Sequence, residues 1–208
     1  MIIWIQNNIL EVLAVITGFI CLYYEIIENY LTWVFSIISS ILYVIFLFHN
    51  KLLAQMVFQI ITIPISFYGL YMWLSGKYLK DKPKVIINNL SKNGWIYLII
   101  LTIIFTLISY KIELAYSDSE FVLADSFSAV LGVIALYLLA KKVIEQFFLW
   151  VFANMIPSII LFYQGFYLSS LLFMSFAILA VIGYLNWLWI QKQYAKKYSS
   201  ANLSSSQA

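Results

Sequence analysis

The chain has 208 residues, of which 64% are hydrophobic and only 10% are charged. A soluble globular domain is closer to half apolar and a quarter charged, so this chain has too little polar surface to face water, and lipid must be its main solvent. All twelve basic residues are lysines, and they form no clustered basic face, which argues against a nucleic-acid partner.

Seven apolar runs follow one another along the chain. Spanning about 30 Å of hydrocarbon takes roughly 20 helical residues, and lipid-exposed backbone must satisfy its own hydrogen bonds, so each run is expected to be a helix. The predicted spans cover about 9–27, 31–49, 52–74, 94–110, 121–140, 146–163 and 168–190. The fold class is therefore an all-α polytopic membrane protein with seven transmembrane helices.

The two ends of the chain differ from the apolar centre. Residues 191–208 form a polar tail, and its Ser-rich part from 199 to 208 is expected to be disordered. The first four residues lack the basic region of a signal peptide, so no cleaved leader is expected.

The lysines predict the orientation of the spans. With seven spans, one side of the membrane receives only Lys51 and Lys111. The other side receives ten: Lys77, Lys80, Lys82, Lys84, Lys92, Lys141, Lys142, Lys192, Lys196 and Lys197. Because lysines concentrate on the cytoplasmic side, the N-terminus is predicted to lie outside and the C-terminus inside, in the cytoplasmic (inner) membrane.

The chain also matches itself. At an offset of 114 the pairs are Glu11 with Asp125, Gly18 with Gly132, Gly69 with Gly183 and Trp73 with Trp187, and at 117 Trp33 falls on Trp150. The matches predict two parallel three-helix repeats, about 9–74 and 121–190, with the fourth span (94–110) as connector, a 3+1+3 arrangement. Transporters place their substrate between such repeats near the midplane.

Span six carries the most informative polar pair. Trp150 and Asn154 are four residues apart, so they lie on one helix face. An indole beside an amide suits a ligand with a flat ring and hydrogen-bonding edges. The alternative is an interfacial Trp and an Asn bonded to a neighbouring helix.

Other polar side chains lie in the apolar runs. Gln55 and Gln59 share a stripe in span three, with Tyr68 further along, and they are either pocket lining or bonds between helices. Asp125 and Glu11 are either helix-terminal carboxylates near water or the rim of an outer entrance. Since Glu11, Asp125 and Glu145 lie near helix ends, no obligatory proton or sodium coupling is expected.

Motifs for chemistry are missing from the sequence. It contains no metal-ligand spacing, no nucleophile with a plausible base, no P-loop and no Gly-rich dinucleotide motif. We therefore expect no cofactor and no enzymatic activity. The remaining alternatives are a transporter and a non-transporting membrane scaffold or receptor.

Several segments carry a resemblance to a known family. They are Leu10-Glu11, Thr17-Gly18, Trp33, Tyr68 to Trp73, Ala124-Asp125-Ser126, Lys141 to Glu145, Trp150 to Asn154 and Gln164-Gly165. In this order, over about residues 9–190, the chain resembles the Pnu-type vitamin transporters. The resemblance implies a SWEET-like 3+1+3 fold, a homotrimer, and facilitated diffusion of a vitamin with an aromatic ring that a cytoplasmic kinase then traps.

The same resemblance implies a substrate and its site. Nicotinamide riboside is the implied vitamin, with Trp150 stacking on its ring, Asn154 bonding its polar edge, and Gln59, Gln55 and Trp33 facing the cavity from the other half. The riboside branch has W-x-x-W-x-x-x-N in span six, where Phe147 here replaces the first Trp. It also has Asn before and Trp after the span-three Tyr-Gly pair, where Phe67 and Leu70 stand here. Both changes remove hydrogen-bonding capacity, so thiamine is the alternative substrate.

Overall fold

The computed structural model describes residues 9–49, 53–75, 87–116, 121–165 and 167–205. These residues form seven α-helices, one for each predicted span. They are α1 (Ile9–Ile26), α2 (Leu31–His49), α3 (Leu53–Ser75), α4 (Lys92–Tyr116), α5 (Val122–Ala140), α6 (Gln146–Tyr163) and α7 (Tyr167–Ser205). The all-helical architecture predicted from the apolar runs is confirmed.

Five of the seven helices are long and apolar enough to cross a membrane. The qualifying stretches are Met56–Ser75, Lys92–Ala115, Val122–Ala140, Gln146–Tyr163 and Ser170–Tyr194. The apolar parts of α1 and α2 within the described residues are shorter, at Leu13–Ile26 and Leu31–Phe46.

The main disagreement with the predicted boundaries is at the C-terminal end. α7 continues to Ser205. The expectation that the chain is disordered from residue 199 is therefore wrong for residues 199–205. Ala195, Lys196 and Lys197 are good helix formers, and a helix already nucleated in the apolar run extends through them at little cost. Residues 206–208 lie outside the described part of the chain.

Consecutive helices pack in two groups with contacts between them. α1 packs on α2 and α2 on α3, while α5 packs on α6 and α6 on α7. The groups meet where α3 packs on α5 and α1 on α7, and α4 packs on α5. Hydroxyl groups bond neighbouring helices, as expected where lipid offers no hydrogen-bond partner: Ser36 meets Ser66 at 2.8 Å, and Ser158 donates to the Ser170 carbonyl at 2.8 Å.

Four aromatic rings form the core where the two groups meet. Trp33, Trp73, Trp187 and Phe147 are all buried, with successive ring centroids 5.7, 6.2 and 5.2 Å apart. Two of these contacts are edge-to-face, the arrangement that adds about 0.5–1.5 kcal/mol per pair beyond area burial.

The rings approach their neighbouring helices at two glycines. A Cβ at Gly69 would overlap the Trp33 ring, and a Cβ at Gly183 would overlap the Phe147 ring. Gly69 and Gly183 are 114 positions apart, as are Trp33 and Phe147. Trp33 and Phe147 therefore make equivalent contacts with these two glycines, and the pairing of Trp33 with Trp150 at offset 117 stays a prediction.

Two hydrogen bonds between the groups are reciprocal. Trp73 Nε1 donates to the Leu139 carbonyl at 3.2 Å, and Trp187 Nε1 donates to the Glu25 carbonyl at 3.0 Å. The two donors are 114 positions apart, and so are the two acceptors. Each helix group therefore makes the same contact to the other.

The turns after α1 and α5 also correspond. Glu28 and Lys142 have φ values of 58° and 53°, the left-handed region that non-glycine residues rarely adopt. Both side chains are buried, and they form an ion pair with each other. This pair joins two turns that are again 114 positions apart.

Candidate functional site

Trp150 lies where α6 meets α5 and α3. It belongs to the second turn of α6 and is half-buried, and its Cζ3 atom is 3.6 Å from the point where a Cβ of Gly132 on α5 would stand. The Phe58 ring of α3 reaches the same point at 3.5 Å. The indole therefore faces the boundary between the two helix groups.

Asn154 follows Trp150 by one helical turn. Its Nδ2 atom donates to the Trp150 carbonyl at 2.7 Å. A carbonyl oxygen only accepts, so this bond fixes which end of the amide faces the backbone and presents Oδ1 on the other side. Within the described residues, the hydrogen bond that Asn154 donates stays inside α6 and does not reach a neighbouring helix.

A second polar group was missed by the sequence reasoning. Glu25, in the last turn of α1, is 5% exposed, and Gln146, in the first turn of α6, is 0% exposed. The Glu25 carboxyl lies against the side chains of Gln146 and Trp150. Glu25 is the hydrogen-bonding partner of the Gln146 amide and of the Trp150 indole N–H, although the contacts are longer than ordinary hydrogen bonds among the described residues.

Signals for this group were present in the sequence. Glu25 stands in an otherwise apolar run at the end of span one, and Gln146 is four residues before Trp150, on the same helix face. The neighbouring Glu145 is also buried, with its Oε2 atom unpartnered among the described residues. Only tertiary packing shows that α1 and α6 bring Glu25 and Gln146 together.

The other predicted site residues lie in different places. Trp33 is fully buried in the aromatic core, and its Nε1 atom lacks a partner in the described part of the chain. Gln59 is half-buried on α3, one residue from Phe58, whereas the side chain of Gln55 lies outside the described residues, as does that of Glu11. Asp125 is in the first turn of α5, seven residues or about 10 Å along the helix from Gly132.

Tyr68 is on an outer face of the bundle. It is 39% exposed, and its ring stacks on Tyr137 of α5 with centroids 6.4 Å apart. Lys141, just beyond α5, places its Nζ 4.6 Å from the Tyr137 ring centroid. A hydrogen bond with Tyr137 raises the pKa of Lys141, which keeps this lysine charged.

One end of the bundle is closed between the two helix groups. The buried ion pair of Lys142 with Glu28 lies there, and Lys142 Nζ also sits 4.4 Å from the Trp73 ring centroid. Glu25 is three residues from Glu28, and Gln146 is four residues from Lys142. The polar group of Glu25, Gln146 and Trp150 therefore lies about one helical turn further into the bundle than the ion pair.

Within the described residues, no group of three or more His, Cys, Asp or Glu side chains could hold a metal ion. The single cysteine, Cys21, bonds the Thr32 carbonyl of the next helix at 3.2 Å. The chemistry offered by the site is thus an aromatic surface with amide and carboxylate groups, which suits binding.

Comparison with known proteins gives consistent matches. Residues 8–189 match the family described as nicotinamide mononucleotide transporter. The chain is 24% identical to the nicotinamide riboside transporter PnuC of Escherichia coli (strain K12), over 86% of this chain and 84% of that protein. It is 26% identical to the protein of the same name from Neisseria mucosa (strain ATCC 25996), over 88% and 73% of the two chains.

A solved structure has the same fold. The crystal structure of the vitamin B3 transporter PnuC superposes with a TM-score of 0.70, covering 92% of this chain and 85% of that one. Sequence identity between the two is 21%, so this likeness concerns the fold alone.

Proposed function

This chain belongs to the nicotinamide mononucleotide transporter family and is a membrane transporter, and from that premise we propose that it takes up nicotinamide riboside across the cytoplasmic membrane. The named relatives at 24–26% identity support this choice of vitamin. The observation that carries the proposal is the Trp150 indole, half-buried between α3, α5 and α6 beside the buried side chains of Glu25 and Gln146.

The two helix groups act as parallel repeats in a 3+1+3 arrangement, with all seven helices crossing the membrane and α4 as the connector. A constant offset of 114 supports this arrangement, because it relates both the ring–glycine contacts and the reciprocal tryptophan hydrogen bonds. Two similar halves in contact through α3–α5 and α1–α7 can rock against each other around a site between them.

Substrate binding follows from the residues at that boundary. Trp150 stacks on the vitamin ring, and the Asn154 Oδ1 atom accepts a hydrogen bond from its polar edge. Gln59 reaches the site from α3. Phe147, which replaces a Trp of the family signature, is 1% exposed and packs over Gly183. The replacement therefore changes the packed core and leaves the surface of Trp150 and Asn154 as it is.

Transport is facilitated diffusion by alternating access. To open the closed end, the two halves must separate the Glu28–Lys142 pair and the aromatic core. A cytoplasmic kinase that phosphorylates the vitamin makes uptake one-way, and the protein assembles as a homotrimer; both statements rest on the resemblance to Pnu-type transporters.

The test uses purified protein in calorimetry and in proteoliposomes. Nicotinamide riboside should bind more tightly than thiamine or riboflavin, and tighter binding of thiamine would replace the substrate with the alternative one. In proteoliposomes at zero potential with only a proton or sodium gradient, internal substrate should rise to the external concentration and stop. Accumulation above that level would contradict facilitated diffusion.

A further inference from the structure

The segment that leads into α4 is fastened to the second helix group. Residues 87–91 directly precede α4, and we call them the strap. The Asn88 N–H donates to the Lys142 carbonyl at 2.9 Å, and the Ile144 N–H donates to the Asn88 carbonyl at 3.0 Å. Asn88 and Val143 thereby form a parallel β-bridge. The strap is therefore bonded through its backbone to the turn between α5 and α6.

Helices α7 and α4 hold the same strap. From α7, Gln191 Nε2 donates to the Ile87 carbonyl at 3.1 Å. At the other end of the strap, Ser91 Oγ accepts a hydrogen bond from the Gly94 N–H at 3.0 Å, which caps the first turn of α4. The Leu90 side chain packs against the apolar cluster that joins α4, α5 and α6. The strap thus connects α4, the α5–α6 turn and α7.

One side chain of the strap reaches the core between the two helix groups. Ile87 is 1% exposed and belongs to the cluster that contains Trp33 and Trp73 of the first group. Its backbone, in contrast, is bonded to the second group. Apolar surfaces can part without leaving an unpaired polar atom behind, whereas separating the strap from the α5–α6 turn would expose unpaired backbone groups. The contact with the first group is therefore the one that can open.

The internal repeat shows that this arrangement is one-sided. The α1–α2 turn corresponds to the α5–α6 turn at the offset of 114, and Glu28 and Lys142 have matching positive φ values. Within the described residues, the β-bridge at the α5–α6 turn is the only one. The α1–α2 turn meets the second group through the Glu28–Lys142 ion pair, and side chains of α7 donate to the last turn of α1. These contacts all cross the boundary between the two halves.

We propose that the strap makes α4, α5, α6 and α7 one rigid body, and that the closed end opens by movement of the α1–α2 turn with its helix group. Lys142 stays in place beside the strap while Glu28 leaves it, and Ile87 remains on the second group and uncovers the core. This inference rests on the proposed alternating access and adds which half carries the closing device. In the alternative, a symmetrical opening, the α5–α6 turn would also leave its neighbours and break the bridge at Asn88.

Two cysteine pairs in a Cys21→Ser background test which contacts part during transport. The strap pair, Asn88→Cys with Val143→Cys, joins the strap to the α5–α6 turn. The turn pair, Glu28→Cys with Lys142→Cys, joins the two corresponding turns. A short, reducible bifunctional thiol reagent links each pair in the full-length protein. Uptake of nicotinamide riboside into proteoliposomes is measured before linking, after linking and after reduction.

The two links should have opposite effects. Linking the strap pair should leave uptake unchanged, because the strap and the α5–α6 turn move together. Linking the turn pair should lower uptake at least about 10-fold, since the open state is no longer populated, and reduction should restore it. Loss of uptake on linking the strap pair would overturn the inference, and so would full uptake with the turn pair linked. Each pair before linking is its own matched control.

Hydrogen exchange of the unaltered protein tests the strap without a substrate. The amide protons of Asn88 and Ile144 both lie in the bridge. If the strap stays in place, both should exchange at least about 100-fold more slowly than amides of an unstructured peptide. Exchange at the unstructured rate would contradict the rigid body. If the unaltered protein takes up no vitamin, the proposed function is contradicted, and the exchange rates still decide whether the strap holds.

Discussion

At the scale of single residues, the candidate site combines an indole with buried polar side chains that contact one another. Trp150 Nε1, the Gln146 amide and one Glu25 oxygen are enclosed by apolar helices, where water cannot replace these contacts. Phe147 and Trp33, in contrast, have a packing role over Gly183 and Gly69. Aromatic residues of similar type thus pack in the core at these two positions and have a proposed binding role at Trp150.

Replacing Trp150 by alanine should weaken ligand binding while the protein stays folded in the membrane. Loss of a stacking surface is worth about 1–3 kcal/mol where bases stack on aromatic side chains, or roughly a 5- to 150-fold weaker Kd. Calorimetry on the purified variant measures the change. Trp189→Ala is the control, because that indole is 60% exposed on α7. Unchanged binding in Trp150→Ala would place the site elsewhere.

At the scale of helices, small residues allow the close approach that a membrane protein needs. Without a hydrophobic driving force in lipid, helices associate through tight packing and hydrogen bonds. Gly69 and Gly183 admit a ring from the adjacent helix, and the serines of α2, α3, α6 and α7 bond across the contacts. In both helix groups, neighbouring helices are therefore held together by local contacts.

Gly69→Ala should destabilise the protein, because the added methyl group overlaps the Trp33 ring. Overpacking of this kind costs about 1–3 kcal/mol. The melting temperature in detergent measures the effect, and Gly183→Ala should behave alike through Phe147. In Gly18→Ala the nearest atom is Ser39 Oγ at 3.6 Å, so this control should melt as the unaltered protein does. An unchanged melting temperature in Gly69→Ala would mean that α2 and α3 are less closely packed.

Replacing one partner of the Glu28–Lys142 ion pair, which joins the α1–α2 and α5–α6 turns, should destabilise the protein more than replacing both partners. Lys142→Met removes the lysine that pairs with Glu28 and leaves the Glu28 carboxylate buried. The free energy of unfolding should fall by about 3–5 kcal/mol. Adding Glu28→Gln removes the uncompensated charge and should recover most of that loss. Chemical denaturation of the two single variants and the double variant measures the coupling. Additive losses would show that the two side chains act independently.

At the scale of the whole molecule, the seven helices form two groups that meet through a few reciprocal contacts. The Trp73 and Trp187 bonds, the aromatic core and the Glu28–Lys142 pair all lie at this boundary. The proposed alternating access requires these contacts to break and re-form together.

The lysine distribution predicts the orientation of the whole molecule. In a Cys21→Ser background, a cysteine at Ser117 should react with a membrane-impermeant thiol reagent in intact cells. A cysteine at Ser200 should react only after the cytoplasmic face is opened, since ten of the twelve lysines then lie inside. The reverse labelling pattern would contradict the charge argument, and labelling of both cysteines from the same side would contradict the seven-span count.

The sequence by itself determined the number, type and approximate bounds of the helices. Twenty apolar residues in lipid leave the backbone no alternative to helix, so composition settles the local structure without knowledge of contacts. The offset of 114 was also visible, through glycines and tryptophans that recur. The extension of α7 to Ser205 is not predicted by the composition of residues 199–205, because this stretch is rich in Ser, and the helix that begins in the apolar run continues through it.

Only the tertiary structure decided which polar side chains meet. Glu25 and Gln146 are 121 positions apart, and no sequence pattern says that the end of α1 faces the start of α6. The same holds for Trp33 and Phe147, whose matching contacts with Gly69 and Gly183 are seen only in the folded structure. Helix formation follows from local hydrogen bonding, whereas the composition of a site depends on the relative rotation of helices, which side-chain packing sets.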